Sequence, residues 1–281
     1  MPELPEVETI VRGLAPMVRG RRIESVWGSG QRLHLRRAVD LRGLRKLAIG
    51  RTIADVRRTG KYILIALEPE RGETSRGEAG VVIHLGMTGR LRVQSGDVPR
   101  VAHTHVVLGL PSGDELRFSD PRRFGWVEPA PSFAAAAALA RLGPDPLGGL
   151  DEAALGRALD GVRAPIKAFL LDQRRIAGLG NIYVSEALFR AGIHPTVPAG
   201  RVRTRAAPLL AGIRTSLEIG IERRGTTLRD YVGADGLPGD NASALLVYGR
   251  TGEPCRNCGA AIRRRVDAGR ATFFCSTCQR R

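Results

Sequence analysis

Apolar residues recur at two different periods along the chain, and the change of period divides it. Val7, Ile10, Val11 and Leu14 fall at i, i+3, i+4 and i+7, which predicts an opening helix from about Pro5 with one buried face. Short β-branched runs follow at 22–27, 52–57, 62–67, 81–85, 91–93 and 104–110. The last leads through the turn sequence Pro111-Ser112-Gly113-Asp114 into 115–118, which predicts a hairpin. Antiparallel strands at this spacing suit a sandwich or a barrel. The stretch 68–80, rich in Glu, Arg and Gly, reads as an exposed loop between strands. A short helix over 132–142 is expected to lead into Gly143-Pro144-Asp145-Pro146, the best linker sequence in the chain. Beyond it the period is helical: 151–159, 165–172 with Pro165 at a favoured first position, 181–190 with Asn181 as N-cap, and 204 to about 222. A β-rich half precedes an α-rich half, and no internal repeat is visible.

Size and charge narrow the class. With 281 residues, 43% of them hydrophobic, the chain can bury a sizeable core and suits two or three folded units. Basic side chains number 44 against 28 acidic ones, a formal charge of +16, which is more than solubility requires and points to a polyanionic partner. Biased genomic composition would exchange lysine for arginine without creating that excess. Only three lysines occur, Lys46, Lys61 and Lys167, so each is a place where a compact ammonium was kept, although chance retention is the simpler explanation for any single one.

All four cysteines lie near the end, as Cys255-x2-Cys258 and Cys275-x2-Cys278 with sixteen residues between the pairs. Two such knuckles aim four thiolates at one tetrahedral metal, so a structural zinc ribbon holding one Zn2+ is expected. The acidic start Met-Pro-Glu-Leu-Pro-Glu-Val-Glu is unlike a secretory signal, and the apolar runs are too short to span a bilayer. The expectation is a cytoplasmic protein with no membrane partner and no disulfides.

Several clusters carry chemistry. Once the initiator methionine is removed, Pro2 presents a secondary amine, which in the ordinary α-amino range of about 7.7 to 8 is substantially neutral and nucleophilic. Attack on a sugar C1′ would release a base and form an iminium that cannot shed an N–H proton, so it acidifies C2′ and invites strand cleavage by β-elimination. Glu3 could donate a proton to the ring oxygen, and Glu6 lies close enough to help order the site. Many proteins begin Met-Pro by accident, however. Gly178-Leu179-Gly180-Asn181, before a helix, could clamp a phosphate with backbone amides or could be an ordinary αα-turn, and the stretch fits both equally. Between the knuckles, Arg263, Arg264, Arg265 and Arg270 make a positive finger suited to nucleic acid. Asp120-Pro121-Arg122-Arg123-Phe124-Gly125 suits a wedge that fills the gap left by an extruded base, although a lone Phe more often sits in a core.

Taken together and in order, the start Pro-Glu-Leu-Pro-Glu-Val-Glu-Thr, Gly60-Lys61-Tyr62, His84-Leu85-Gly86-Met87-Thr88-Gly89, 120–125, 178–186 and Val247-Tyr248-Gly249-Arg250 before the ribbon resemble the formamidopyrimidine-DNA glycosylase family, related to endonuclease VIII, over essentially the whole chain. The resemblance implies an α+β fold: an N-terminal β-sandwich opened by a helix (1–135), a linker (136–150), a helix–two-turn–helix domain (151–240) and the zinc ribbon (241–281). It implies a monomeric bifunctional DNA glycosylase and AP lyase that removes 8-oxoguanine and formamidopyrimidines from duplex DNA, and acts on abasic sites, by β-elimination with or without a following δ-elimination. Pro2 is then the nucleophile and Glu3 its acid–base partner, with Glu6 and Glu186 as supporting carboxylates. Lys61 and Arg270 would bind phosphate around the lesion, and Lys167 would serve oxidised-purine processing. Met87, Arg122 and Phe124 would fill the duplex void, with Arg122 facing the orphaned cytosine. Asn181, Arg250 and His103, or its neighbour His105, would contact DNA, and the segment holding Thr226, Thr227 and Tyr231 would cover the lesion. Leu4, where the endonuclease VIII branch has glycine, favours the purine-directed branch. Asp240-Asn241-Ala242-Ser243 and the apparent insertion at 68–80 depart from the family pattern. Two other classes share some features: a non-catalytic DNA-binding protein on the same scaffold, which the Pro2-Glu3 pair speaks against, and an RNA-associated zinc-ribbon protein.

Overall fold

Helix α1, Leu4–Val18, begins where Glu3 caps it. The Glu3 carboxylate accepts the backbone N–H of Glu6 and the Glu6 carboxylate accepts that of Glu3, so two otherwise unpaired donors of the first turn are satisfied. Its inner face, Val7, Ile10, Val11, Leu14 and Val18, is buried, and each such side chain contributes on the order of 1.5–3 kcal/mol. The computed structural model describes residues 1–34, 38–69 and 77–280. The middle of the stretch expected as an exposed insertion, 70–76, and the final residue of the ribbon lie outside the described residues.

Two compact units form, Met1–Ala140 with Arg224–Gly239, and Arg141–Arg223 with Asp240–Arg281. In the first, the described residues form eight strands in two antiparallel four-stranded sheets: β1 (Ser25–Gly28), β6 (Thr104–Gly109), β7 (Asp114–Ser119) and β5 (Arg90–Ser95) in that order, and β2 (Ile53–Thr59), β3 (Tyr62–Leu67), β4 (Gly80–His84) and β8 (Trp126–Ala130). Inward side chains of both sheets, such as Ile63, Ile65, Val81, Leu91, Val106 and Phe118, share one core with the apolar face of α1. The β6–β7 hairpin forms where the turn sequence placed it, with Leu108 opposite Leu116.

Two elements were invisible to the hydrophobic period. Helix α2, Leu41–Ala48, is short and arginine-rich; it is fixed by its cap, Asp40, which accepts the N–H of Gly43 at 2.8 Å, and by burial of Leu44 and Ala48. Strand β8 contains Pro129, tolerated because it is an edge strand. The helix expected over 132–142 does not form. Only a 3-10 turn, Phe133–Ala135, is present, because an alanine run offers no large side chain to bury. Phe133 instead packs against Leu64, Ala66, Val82 and Ala130 and donates its N–H to the Glu78 carbonyl.

The second unit holds α3 (Glu152–Leu159), α4 (Ile166–Leu171), α5 (Asn181–Arg190), α6 (Ala206–Glu222) and the hairpin β9 (Arg263–Asp267) and β10 (Arg270–Phe274). Pro165 is the residue before α4, and a 3-10 turn, Ala199–Arg205, replaces the first residues expected of α6. The N-cap of α5 is Gly180, and Asn181 is its first helical residue, which frees the asparagine side chain for another contact. No helix among the described residues is long and apolar enough to cross a membrane.

Candidate active site and metal centre

At the head of α1, Pro2 and Glu3 are buried, Glu3 to 4% exposure, with the Glu3 carboxylate at the positive end of the helix dipole. The Pro2 nitrogen is bonded to Met1, so its nucleophilic form requires removal of that residue. Glu6 is 2% exposed and each of its carboxylate oxygens accepts a backbone N–H: Oε2 from Glu3 at 2.8 Å and Oε1 from Thr226 at 2.7 Å. Glu6 therefore joins the chain start to the segment Arg224–Gly239, which is packed in the same unit. Tyr231 donates its hydroxyl to the carbonyls of Glu6 and Arg224, and burial, helped by the charge of Glu6, raises its phenol so that it stays a donor. Thr227 Oγ1 donates to the Tyr231 carbonyl and accepts the N–H of Gly239.

A cleft of about 980 Å³ lies beside this head, lined among others by Met1, His34, His84, Met87, Arg122 and Phe124. Met87 and Phe124 are 39% and 44% exposed, and the Arg122 guanidinium lies 4.7 Å from the Phe124 ring centroid. These three residues come from two loops that a single buried carboxylate ties together. Asp120 accepts the hydroxyl of Thr88 at 2.5 Å, the N–H of Arg122 at 3.2 Å and the N–H of Gly125 at 2.7 Å. Gly86, at φ +62, presses on the other side of the same turn, where a Cβ would lie 2.4 Å from the Gly125 nitrogen. His34, through Nδ1, bonds the Phe124 carbonyl at 3.1 Å, and Arg123 donates to Gln31.

Lys61 sits at the β2–β3 turn, 6% exposed, close enough to His84 for its charge to act on that ring. His84 is a site residue that the motif around it does not announce. Burial, with the charges of Lys61 and His34 adding to it, lowers its imidazole to about 4, so the ring is neutral at cellular pH. Its Nδ1 accepts the N–H of Gly86 at 3.1 Å, which fixes the proton on Nε2 and leaves a donor suited to a phosphate oxygen. Trp126 stacks on the same ring. Of the two histidines expected near the backbone, His105 is buried and bonds Ser29 and the Asp120 carbonyl, whereas His103 is exposed, in a left-handed backbone conformation at φ 62.

In the second unit Lys167, Asn181 and Arg270 meet at one strand. Lys167 Nζ and Asn181 Nδ2 both donate to the Ala271 carbonyl at 2.9 Å, and Lys167 also donates to Thr272 Oγ1. Arg270 precedes that carbonyl and is exposed. Glu186, 3% exposed, accepts the N–H groups of Leu246, Val247 and Tyr248 and bonds Arg190, so its role here is to hold the segment leading to the ribbon. All three guanidinium nitrogens of Arg250 have partners, Glu253, the Leu246 carbonyl and the Pro254 carbonyl, which makes it a brace of the same segment.

Cys255, Cys258, Cys275 and Cys278 bring their sulfurs within 4.8 Å of one another. Cys255 to Cys278 is 3.9 Å and Cys258 to Cys275 is 3.5 Å, against about 3.8 Å for a tetrahedron with Zn–S bonds of ~2.3 Å. Backbone N–H groups of Asn257 and Cys278 point at the sulfurs of Cys255 and Cys275, as thiolate ligands require. The residues fit one structural Zn2+ with no open position.

Comparison with known proteins agrees with this layout. The chain matches the models for the formamidopyrimidine-DNA glycosylase N-terminal domain over residues 1–127, the formamidopyrimidine-DNA glycosylase H2TH domain over 142–232 and the zinc finger found in FPG and IleRS over 252–281. It is 49% identical to the formamidopyrimidine-DNA glycosylase of Rhizorhabdus wittichii and 46% identical to that of Stenotrophomonas maltophilia, covering 100% of each chain. Among solved structures, the MutM (Fpg) protein of Thermus thermophilus is 40% identical with a TM-score of 0.83, covering 99% of this chain and 98% of that one. A Lactococcus lactis FPG variant in complex with Fapy-dG-containing DNA is 33% identical with a TM-score of 0.87 and full coverage of both chains. On both the residues and the comparisons, the chain belongs to the formamidopyrimidine-DNA glycosylase family.

Proposed function

We propose that this protein is a bifunctional DNA glycosylase and AP lyase that excises oxidised purines, 8-oxoguanine and formamidopyrimidines, from duplex DNA, acts on abasic sites, and works as a monomer in the cytoplasm on the nucleoid. The observation that carries this reading is the capped head of α1, where Glu3, next to buried Pro2, is held by Glu6, and Glu6 accepts in turn the N–H of Thr226. The freed Pro2 nitrogen bonds to C1′ of the damaged nucleotide as the glycosidic bond breaks, and the base leaves with that electron pair and takes up a proton. Glu3 takes the N–H proton from Pro2 and passes it to the ring oxygen as the C1′–O4′ bond breaks and the sugar opens, leaving an iminium between Pro2 and C1′. Loss of a C2′ proton then expels the 3′-phosphate, and water releases Pro2.

The remaining roles are part of the proposal. Lys61, with His84 beside it, binds phosphate at the lesion; Asn181, Arg270 and His103 bind the backbone, and Lys167 fixes the strand that presents Arg270. Met87, Arg122 and Phe124 fill the space vacated by the flipped base, supported by their exposure and by the single carboxylate that aligns their loops. Glu186 and Arg250 act as supports. Thr226, Thr227 and Tyr231 belong to the segment that covers the lesion. Zinc, when bound, supplies rigidity to the ribbon and no bond-making chemistry. As functional parts we keep 1–135, the linker 136–150, 151–240 and 241–281, with Arg224–Gly239 acting alongside the first part, against which it packs.

Excision from an 8-oxoguanine·cytosine duplex tests the reading directly. Released base and a nicked strand in one incubation are expected; binding without either product would leave only a DNA-binding protein.

A further inference from the structure

The segment Arg224–Gly239 follows α6 in sequence but packs with α1. Its two ends are fixed on that helix in different ways. Near its start, the Thr226 N–H donates to Glu6 Oε1 at 2.7 Å. Towards its end Ala234, only 6% exposed, joins the core of the first unit, against α1 at Gly13. A Cβ added at Gly13 would lie 2.9 Å from the Ala234 Cβ, closer than two rigid methyl carbons can approach. Neither carbon is the end of a flexible chain, so the backbone carrying Ala234 would have to move. Glu6 and Gly13 are seven positions, and so about 10 Å, apart along α1. Arginines of β5 add outer supports: Arg90 donates to the Asp230 carbonyl at 3.3 Å, and Arg92 lies over Gly236, where a Cβ would come within 2.7 Å of its guanidinium.

We propose that the contact between Gly13 and Ala234 is a positioning device that sets the register of the lesion-covering segment along the nucleophile-bearing helix. Glu6 supplies the polar anchor at one end and the missing side chain at Gly13 admits the apolar plug at the other. The inference rests on the proposed function, because it concerns how that segment is brought over an extruded base. It separates two steps that share one nucleophile. Release of a damaged base depends on the segment being in register, whereas β-elimination at an abasic site made beforehand has no base to cover.

Gly13→Ala is the informative change. Alanine is a better helix former than glycine by about 1 kcal/mol, which offsets part of the overpacking at Ala234, so the melting temperature is expected to fall by at most a few degrees. Single-turnover excision of 8-oxoguanine is expected to slow by roughly tenfold to a hundredfold, the scale of a displacement of about 1 Å, while cleavage of a preformed abasic duplex stays within about twofold. Adding Ala234→Gly to the same protein restores the space and is expected to return excision to within about threefold of wild type. Wild-type excision rates in Gly13→Ala, an equal fall in both activities, or no recovery in the double variant would each overturn the proposal. Failure of the functional reading looks different, since the wild-type protein itself would then release no base.

Discussion

The ribbon and the head of α1 each place reactive or ligating groups within a few ångströms, and they do so in opposite ways. In the ribbon, the four thiols come from residues 255–278, and a two-stranded hairpin that could not stand alone is closed by the metal they share. At the head, Glu6 accepts one N–H from three residues away and another from 220 residues away, with no metal, on a helix already anchored in a large core. A locally encoded site therefore fails when its ion is removed. The assembled one is expected to fail when a single long-range bond is mismatched, even though the surrounding fold survives.

Removing the metal is the strongest way to break the ribbon side of this contrast. Cys275→Ser, or chelation, is expected to take zinc from one per chain to none and to free the finger of Arg263, Arg264, Arg265 and Arg270. Duplex affinity should drop by about a hundredfold, and the plot of log affinity against log salt should flatten by about 0.9 for each phosphate that the loosened finger no longer neutralises. Metal analysis and binding titrations check this, and full affinity without zinc would refute it. The first unit should keep its own cooperative melting.

The head can be broken without unfolding anything. In Glu6→Gln one carboxylate oxygen becomes an NH2 that faces a backbone N–H, so a buried donor loses its acceptor at a cost of about 1–3 kcal/mol. Excision of 8-oxoguanine should fall roughly tenfold to a hundredfold, while the melting temperature drops by several degrees and unfolding stays cooperative. Excision at the wild-type rate would show that the Glu3–Glu6–Thr226 linkage is dispensable.

A smaller effect sharpens the comparison inside the cleft. The His84 imidazole, about 4 in the fold against an ordinary 6.5, stays neutral where the unfolded chain takes up a proton. Its contribution is fully present above pH 6.5 and is lost as pH falls towards 4, by up to about 3 kcal/mol. Urea unfolding between pH 4 and 7 should lose part of its slope against pH in His84→Gln, while an unchanged slope would contradict the burial argument.

How much of this was legible in the sequence follows the same division. Cysteine spacing announced the ribbon because all its ligands are local, and apolar spacing announced α1 and most strands because their faces meet one core. The expected 132–142 helix failed because one residue, Phe133, found a better burial site than a helical turn could offer. Lys61, Met87, Arg122 and Phe124 could be named from motifs. Asp120 opens one of those motifs, but its part in aligning the two loops carrying Met87, Arg122 and Phe124 could not be read there, since its three partners are chosen by folding. The role of His84 was hidden for a related reason: its neutrality comes from burial, with Lys61 and His34 adding to it, none of which its own strand reveals. The Gly13–Ala234 pair is the extreme case, two small residues with no local signature at all.

The central claim is that the imino nitrogen of Pro2 makes the bond to the sugar. Reaction with an 8-oxoguanine duplex in the presence of borohydride, followed by mass spectrometry of the digested adduct, locates that bond directly. The account predicts one DNA fragment per chain, on a first peptide that begins at Pro2 with Met1 gone. An adduct on Lys61 or another lysine, or turnover by protein that still carries Met1, would contradict it.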